Sequence, residues 1–189
     1  RTARAALIRR SIDEAAAAAE GVPNCPEGLF DELVDLVEDP CVLNGRIADR
    51  FLALPPEVIS TVMQSHQRYV PLDRPDVEPD PLRLSASAVL CPEFLLVSNG
   101  LRSAADTIVR GNERVLTARL ADAEFFLGVD RRQSSAERRD LLARVTFAEG
   151  LGSLRDRSDR IEGVVSVLLD HLSLNDQVAT AARRAAHLC

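Results

Sequence analysis

The hydrophobic pattern changes its period along the chain, and this change restricts the fold more than any other sequence feature. Residues 3–20 and 27–37 carry apolar side chains at helical spacing, which is typical of amphipathic helices. Short apolar runs follow, of which residues 94–97 are the clearest. A continuous apolar run of this length is typical of a central, buried strand. Helical periodicity then returns and continues toward the last residue.

The order of these segments predicts an α+β fold, with a small mixed or antiparallel sheet and flanking helices. Further helices are predicted over residues 56–65, 103–127 and 130–145, the last with a break at Ser134 and Ser135. We expect a strand pair or one bent strand over residues 41–54, and another strand over residues 67–72. Residues 73–92 contain four prolines and several acids, so they are predicted to form an exposed excursion between two strands.

A domain boundary is predicted near residue 150, where Gly150, Leu151 and Gly152 interrupt the pattern. Beyond it the chain is predicted to be helical: Ser153 caps one helix with Asp156, and Asn175 caps the last. We therefore predict an α+β body domain over residues 1–150 and the truncated start of a helical domain over residues 151–189. Two helices alone bury one face poorly, so we expect the natural protein to continue.

Composition excludes several classes of protein. Hydrophobic residues make up 46% of the 189 and charged residues 28%, which argues against disorder, collagen and a disulfide-stapled scaffold. No apolar run approaches the roughly 20 residues of a membrane-spanning helix, and the start does not resemble a signal peptide. The four cysteines stand far apart without metal-ligand spacing. We expect a soluble, cytoplasmic protein with reduced thiols, no membrane partner and no metal site.

Charge is distributed unevenly along the chain. All 23 basic residues are arginine, which we attribute mainly to coding bias, and the net charge is −6. By segment, the net charge is −7 over residues 1–101, +2 over residues 102–160 and −1 over residues 161–189. A local basic surface can hold a polyanion within a Debye length of about 8 Å, so the overall sign does not exclude RNA.

Two stretches carry candidate binding residues. Gln67, Arg68 and Tyr69 follow His66 at a predicted helix-to-strand turn, where arginine could pair with phosphate, tyrosine stack on a base and glutamine read base edges. The alternative, which we favour, is that this stretch closes a turn. No familiar catalytic motif is present, so no catalytic residue is predicted.

The second stretch lies on the helix predicted after residue 103. Arg110 and Arg114 would share a face at i, i+4, and Arg119 could pair with Asp122 at i, i+3. One interpretation is a strip facing phosphates, extended by Arg131 and Arg132. The other, which we favour, is an ion-pair lattice, because five acids are interleaved: Asp106, Glu113, Asp122, Glu124 and Asp130.

Four segments read, in this order, FLALPPEVISTVMQSHQRYVPL, FLLVSNG, VRGNERVLTARLADAEFF and EGLGSLRDRSDRI. Together they resemble the beta subunit of bacterial heterotetrameric glycyl-tRNA synthetase. The resemblance spans nearly the whole chain, and GNERV with RLADAEFF carries most of its specificity. The family's motif residues match ten positions, to none of which a catalytic role is transferred: Gln67, Tyr69, Asn99, Gly111, Asn112, Glu113, Arg119, Asp122, Phe125 and Phe126. Residues 73–92 are longer and richer in proline than the family's turn at this point, which suggests a lineage-specific insertion.

The resemblance implies an enzyme that attaches glycine to tRNA(Gly), with ATP and Mg used through a separate alpha subunit. The beta subunit would handle the tRNA, with this region lying ahead of the main part of an HD-like helical domain and an anticodon-binding domain. The HD-like domain's histidine–aspartate signature is missing here. We expect no cofactor in this region, which would bind tRNA or assemble with the alpha subunit and the other beta domains. The alternatives are a scaffold without RNA contact and, more weakly, a hydrolytic editing activity.

Overall fold

The computed structural model describes residues 1–75, 77 and 85–189. These residues form two compact units, Arg1–Leu127 and Gly128–Cys189. The first unit combines helices with a four-stranded antiparallel sheet, and the second combines helices with a two-stranded hairpin. The predicted α+β class is therefore confirmed. Among the described residues, no helix is both long enough and apolar enough to cross a membrane.

Helices and strands are interspersed in the first unit. Its helices are α1 (Thr2–Ala18), α2 (Glu27–Leu36), α3 (Pro56–Thr61) and α4 (Ala105–Asp130), the last continuing past the end of the unit. Its strands are β1 (Val22–Pro23), β2 (Cys41–Arg46), β3 (Val70–Asp73) and β4 (Leu90–Ser98). Short 3-10 segments lie at Asp49–Ala53, Ala86–Ala88 and Arg102–Ala104, and a π turn at Val62–Gln67 follows α3.

The sheet has the strand order β1-β3-β4-β2, and all of its pairs are antiparallel. Strand β4 lies between two partners, as the apolar run 94–97 predicts. Phe94 and Leu96 belong to the hydrophobic cluster on one face of the sheet, whereas Leu95 belongs to the cluster on the other face. The run is continuously apolar because both faces of this strand are covered.

Each face of the sheet packs against helices. The cluster around α1 and α2 contains Ile8, Ile12, Ala16, Leu29, Phe30, Leu33, Val34, Val70, Leu72 and Leu95. The cluster beneath α4 contains Phe51, Ile59, Met63, Tyr69, Phe94, Leu96, Leu116 and Leu120. Helix α4 has a strongly polar sequence and is held through its few buried leucines, so its remaining faces are exposed.

Three local predictions were wrong. Only the first part of residues 41–54 forms a strand, because Phe51 turns into the core from a 3-10 segment. Gln67 belongs to the π turn, and Arg68 adopts left-handed backbone angles before β3 begins at Val70. Strand β4 begins at Leu90, so the end of the predicted excursion is buried strand. Residues 76 and 78–84 of that excursion, and hence part of the suggested insertion, lie outside the described residues.

The second unit contains α5 (Ser135–Leu141), β5 (Thr146–Ala148), β6 (Gly152–Ser153), α6 (Leu154–His171) and α7 (Asp176–Leu188), with a 3-10 turn at Leu142–Arg144. The predicted caps are confirmed: Ser153 and Asp156 form a capping box, and the side-chain oxygen Oδ1 of Asn175 accepts from the Val178 amide at 2.9 Å. The hairpin was not predicted, and the charged helix is shorter than residues 130–145.

The structure divides the chain between Leu127 and Gly128, whereas sequence analysis predicted a boundary near residue 150. Residues 128–150 join the second unit because α5 places the Arg139 guanidinium on α6, where it contacts Asp159 and Glu162 at 2.6 and 2.9 Å. The assignment of residues 151–189 to an HD-like domain stays a prediction.

Candidate nucleic-acid interface

Polar side chains of α4 hold this helix at a fixed position on the first unit. Asn112 donates to the Ile108 carbonyl at 2.8 Å, and its own carbonyl oxygen accepts from the Tyr69 hydroxyl at 2.6 Å. Glu113 accepts from the backbone N–H of Arg46 in β2 at 2.8 Å. Two neighbouring residues of the helix thus bind two different parts of the fold, which fixes the direction in which the other side chains of α4 point.

Tyr69 is a core residue in this structure. Its side chain is 5% exposed, and its ring stacks on Phe94 with centroids 4.8 Å apart. Burial raises the pKa of the phenol, so the group stays a neutral hydrogen-bond donor at physiological pH. The predicted stacking on a base is incompatible with this placement, because the ring is covered by protein.

Gln67 and Arg68 line an open cleft of about 640 Å³ beside α2. Three carboxylates share this cleft, from Asp31, Glu32 and Asp35. Arg68 donates to the Glu32 carboxylate and to the Ser65 carbonyl, so its charge is largely neutralised. The cleft is therefore a poor site for phosphate, although tRNA contact by Gln67 or Arg68 stays an untested prediction.

Arg110 and Arg114 lie together, as their spacing predicts. Both are exposed, and with Glu113 and Thr117 they line a shallow cleft of about 330 Å³ on the outer side of α4. Arg110 donates to the Thr107 hydroxyl at 3.3 Å. Sequence analysis missed both threonines, although their positions three residues from an arginine could have indicated them.

The predicted ion-pair lattice is wrong for this part of the chain. Within the described ranges, no carboxylate lies within 4.0 Å of a guanidinium nitrogen of Arg110, Arg114 or Arg119. Arg119 and Asp122 are both exposed and do not pair. An exposed pair contributes little free energy and restricts two long side chains, so suitable spacing does not enforce it.

Arg131 and Arg132 follow the end of α4 and belong to the second unit. Both are exposed. Their placement neither supports nor contradicts contact with RNA, which stays a prediction.

The part of the chain that the structure describes contains no group of three or more His, Cys, Asp and Glu side chains able to hold a metal ion. A buried polar cluster lies instead around Arg139, which is 4% exposed and contacts Asp159 and Glu162, the latter also bound by His187. Sequence analysis missed this cluster because Arg139 looks like one more charge in a charged segment.

Comparison with known proteins gives consistent matches. The sequence model of the family "Glycyl-tRNA synthetase beta subunit" matches residues 1–189. The glycine–tRNA ligase beta subunit of Acaryochloris marina is 40% identical over 98% of this chain and 25% of its own length. Those of Edwardsiella ictaluri and Halalkalibacterium halodurans are 37% and 35% identical, over 95% and 96% of this chain and 24% and 25% of their own lengths.

These relatives are all subunits of one class of protein, the aminoacyl-tRNA synthetases. The chain belongs to the glycyl-tRNA synthetase beta subunit family, as its sequence motifs indicate. It spans about a quarter of the length of the curated relatives that it matches.

Proposed function

We propose that this chain is part of a glycine–tRNA ligase and that its first unit binds the phosphate backbone of tRNA(Gly) at the Arg110–Arg114 cleft. The complete enzyme would attach glycine to tRNA with ATP and Mg, through chemistry on a separate alpha subunit. The 189-residue chain alone would have no aminoacylation activity. The observation that carries the proposal is the pair of exposed arginines on one face of α4.

The charges around this cleft support phosphate binding. The carboxylate of Glu113 lines the cleft but already accepts the Arg46 amide, so it is engaged with the protein. Guanidinium groups bind phosphate through two parallel N–H donors, and Arg110 and Arg114 both lack an ion-pair partner among the described residues. A phosphate would therefore not need to displace a carboxylate from these arginines.

Gly111 supplies a second supporting observation. It lies in the interior of α4, and, apart from its chain neighbours and the backbone of its own helix, a Cβ built there would meet no described atom within 4 Å. A helical glycine costs about 1 kcal/mol relative to alanine, and packing within the described structure does not require it. The missing side chain would let an external molecule approach the helix backbone beside Arg114, which is three residues away.

The experiment is a binding and kinetic comparison in the full enzyme. Replacing Arg110→Ala together with Arg114→Ala should raise KM for tRNA and flatten the dependence of binding on salt by about two phosphate contacts. The matched control is Arg183→Ala with Arg184→Ala, which removes two exposed arginines from α7. Unchanged tRNA affinity in the first variant would reject the phosphate role of this cleft.

A second candidate function is assembly with the alpha subunit or other beta domains. It is favoured by apolar side chains that α6 leaves exposed, namely Val164, Val167 and Leu168, since exposed apolar patches mark interaction surfaces. Cross-linking of the holoenzyme to tRNA separates the two candidates. Cross-links elsewhere, with none between residues 60 and 160, would favour assembly over tRNA binding.

A further inference from the structure

The Arg110–Arg114 cleft contains a carboxylate that phosphate binding alone does not explain. Glu113 lines the cleft together with both arginines and Thr117. Along the helix axis it lies between the two arginines. Its charge repels any phosphate that enters the same cleft, so an anion site made for phosphate alone would be stronger with an uncharged residue at this position.

Only one oxygen of this carboxylate is bonded to the protein. Oε1 of Glu113 accepts from the backbone N–H of Arg46 at 2.8 Å, which fastens the side chain to the end of β2. Among the described residues no hydrogen bond or ion pair reaches its Oε2. The contact with Arg46 does not require a charge, because the carbonyl oxygen of a glutamine could accept the same amide. The second carboxylate oxygen therefore has no role within the described structure and can accept a donor from another molecule.

The sugar–phosphate backbone of RNA offers one hydrogen-bond donor, the ribose 2′-hydroxyl. The phosphate, ester and ring oxygens of the backbone only accept hydrogen bonds, and a DNA backbone has no donor at all. The 2′-hydroxyl is the group by which a protein distinguishes RNA from DNA at a given site. It adjoins the 3′ phosphate of its own nucleotide, so a carboxylate beside two phosphate-binding guanidinium groups is well placed to accept from it.

We propose that Glu113 accepts a hydrogen bond from a ribose 2′-hydroxyl while Arg110 and Arg114 bind the adjoining phosphates, so that the cleft selects RNA over DNA. This inference rests on the proposed tRNA-binding function of the same cleft and adds the group that gives it specificity. The two arginines are about 6 Å apart along the helix axis and share a face. The Arg46 amide orients the carboxylate before RNA binds, which lowers the entropic cost of the contact.

An exocyclic amine of a base is the other donor that RNA could offer to this carboxylate. Proteins that bind splayed bases hold them by stacking, mainly on aromatic rings. The described lining of the cleft includes no aromatic side chain, and its two guanidinium groups bind phosphate in the proposed function. The lining therefore favours the ribose over a base, and a base amine becomes the competing outcome of the test.

The test uses the full enzyme and a pool of tRNA(Gly) in which each molecule carries one 2′-deoxynucleotide at a random position. Bound and free tRNA are separated at fixed salt, and the deoxy positions in the two fractions are compared. With the wild type we expect a position whose deoxy form is depleted about fivefold or more from the bound fraction, because a hydrogen bond to a charged group is lost. Glu113→Ala should abolish this depletion, and Glu113→Gln should at least halve it.

The comparison separates loss of the acceptor from general damage to the protein. Both ligands meet the same protein sample, so a displaced helix weakens them equally and leaves the depletion unchanged. Glu124→Gln is the matched control, because it removes an exposed carboxylate of α4 outside the cleft, and it should keep the full depletion. A deoxy pattern that is the same in the wild type and both Glu113 variants, or a depletion that the control also loses, overturns the proposal.

Two further measurements separate this inference from its alternatives. A second pool carries inosine, which lacks the exocyclic amine of guanosine, and a position there that depends on Glu113 would assign the carboxylate to a base and overturn the proposal. The double variant Arg110→Ala with Arg114→Ala tests the proposed function itself. If it binds tRNA as the wild type does, the phosphate role and the ribose contact are both wrong. If it weakens binding while the Glu113 variants keep the wild-type deoxy pattern, only the ribose contact is wrong.

Discussion

The Tyr69 hydroxyl donates a 2.6 Å hydrogen bond to the Asn112 side-chain carbonyl, and this bond joins the residue before β3 to the first half of α4. Both residues lie in segments that mark the family, and both are occupied with packing. Tyr69 also stacks on Phe94 of the central strand. These two motif residues therefore hold the helix against the sheet. This contact determines which side chains of the helix face outward.

Removing that hydroxyl should destabilise the first unit. In Tyr69→Phe the ring keeps its stacking contact, but the partly buried Asn112 oxygen loses its donor, at a cost of about 1–2 kcal/mol. Chemical denaturation measures the change in unfolding free energy. In an Asn112→Ala background the same substitution should cost clearly less, because the acceptor is already absent. Equal costs in the two backgrounds would show that the bond contributes nothing.

The neighbouring strand leaves no room for a side chain at Gly45. A Cβ at Gly45 would lie 2.5 Å from Cζ of Phe94, its register partner in β4, and Phe94 is fully buried. Gly45→Ala should therefore cost about 1–3 kcal/mol through overpacking. Gly163→Ala is the matched control, because a Cβ there would meet no described atom within 4 Å apart from its chain neighbours and the backbone of its own helix. The control should gain about 0.5–1 kcal/mol, so equal thermal midpoints for the two variants would contradict the prediction.

Arg139 should contribute more to the stability of the second unit than any exposed arginine. Arg139→Gln removes a buried guanidinium from Asp159 and Glu162, which are partly exposed and keep contacts to Arg155 and His187, so we expect a loss of about 1–2 kcal/mol. Arg183→Gln breaks an exposed contact of 3.6 Å to Asp170, and its effect should stay within about 0.5 kcal/mol. Urea denaturation followed in the second unit gives both values. A loss for Arg139→Gln no larger than that of the control would count against a structural role of the buried cluster.

The start of α6 should depend on pH through Asp156. Its carboxylate accepts from the Ser153 amide and hydroxyl at 2.7 and 2.8 Å, and these bonds lower the pKa of Asp156 below its ordinary 3.8. The folded state thus binds the proton less tightly than the unfolded state. The stabilisation is complete above pH 3.8 and is lost as the pH falls through the lower folded-state pKa.

This effect is measured as the difference in unfolding free energy between the wild type and Asp156→Asn. The difference should be largest near neutral pH and should shrink on acidification below 3.8, because the asparagine cannot titrate. Ser134 and Glu137 form a second capping box, which both proteins share and which therefore cancels in the difference. If the difference in unfolding free energy stays constant between pH 7 and pH 3, the charge of Asp156 does not contribute to the stability of the cap.

Local chemistry made several elements predictable. Ser153 and Asn175 could be identified as caps because a capping side chain bonds a backbone amide two or three residues away. The buried strand β4 could be identified from residues 94–97, because a strand covered on both faces needs apolar residues at every position. In each case a short window of sequence carries the signal.

Features that depend on distant partners could not be predicted in this way. Tyr69 is 43 positions from Asn112, and a phenol that stacks on Phe94 has the same sequence appearance as one that stacks on a base. Arg139 is buried by residues of α6, 20 and 23 positions away. The Arg119–Asp122 pair failed for a different reason: exposed ion pairs are worth so little that neighbouring positions do not determine them.

Gly111 gives a prediction in which stability and binding change in opposite directions. Gly111→Ala should raise the unfolding free energy by about 0.5–1 kcal/mol, because alanine favours the helix and the added Cβ would meet no described atom within 4 Å apart from its chain neighbours and the backbone of its own helix. The same methyl group would hinder close approach of a phosphate beside Arg114, so Kd for tRNA should rise at least threefold at fixed salt. Gly163→Ala should give the gain in stability without the loss in affinity. If tRNA affinity is unchanged in Gly111→Ala while stability rises, close backbone approach at this position is excluded, whatever the two arginines contribute.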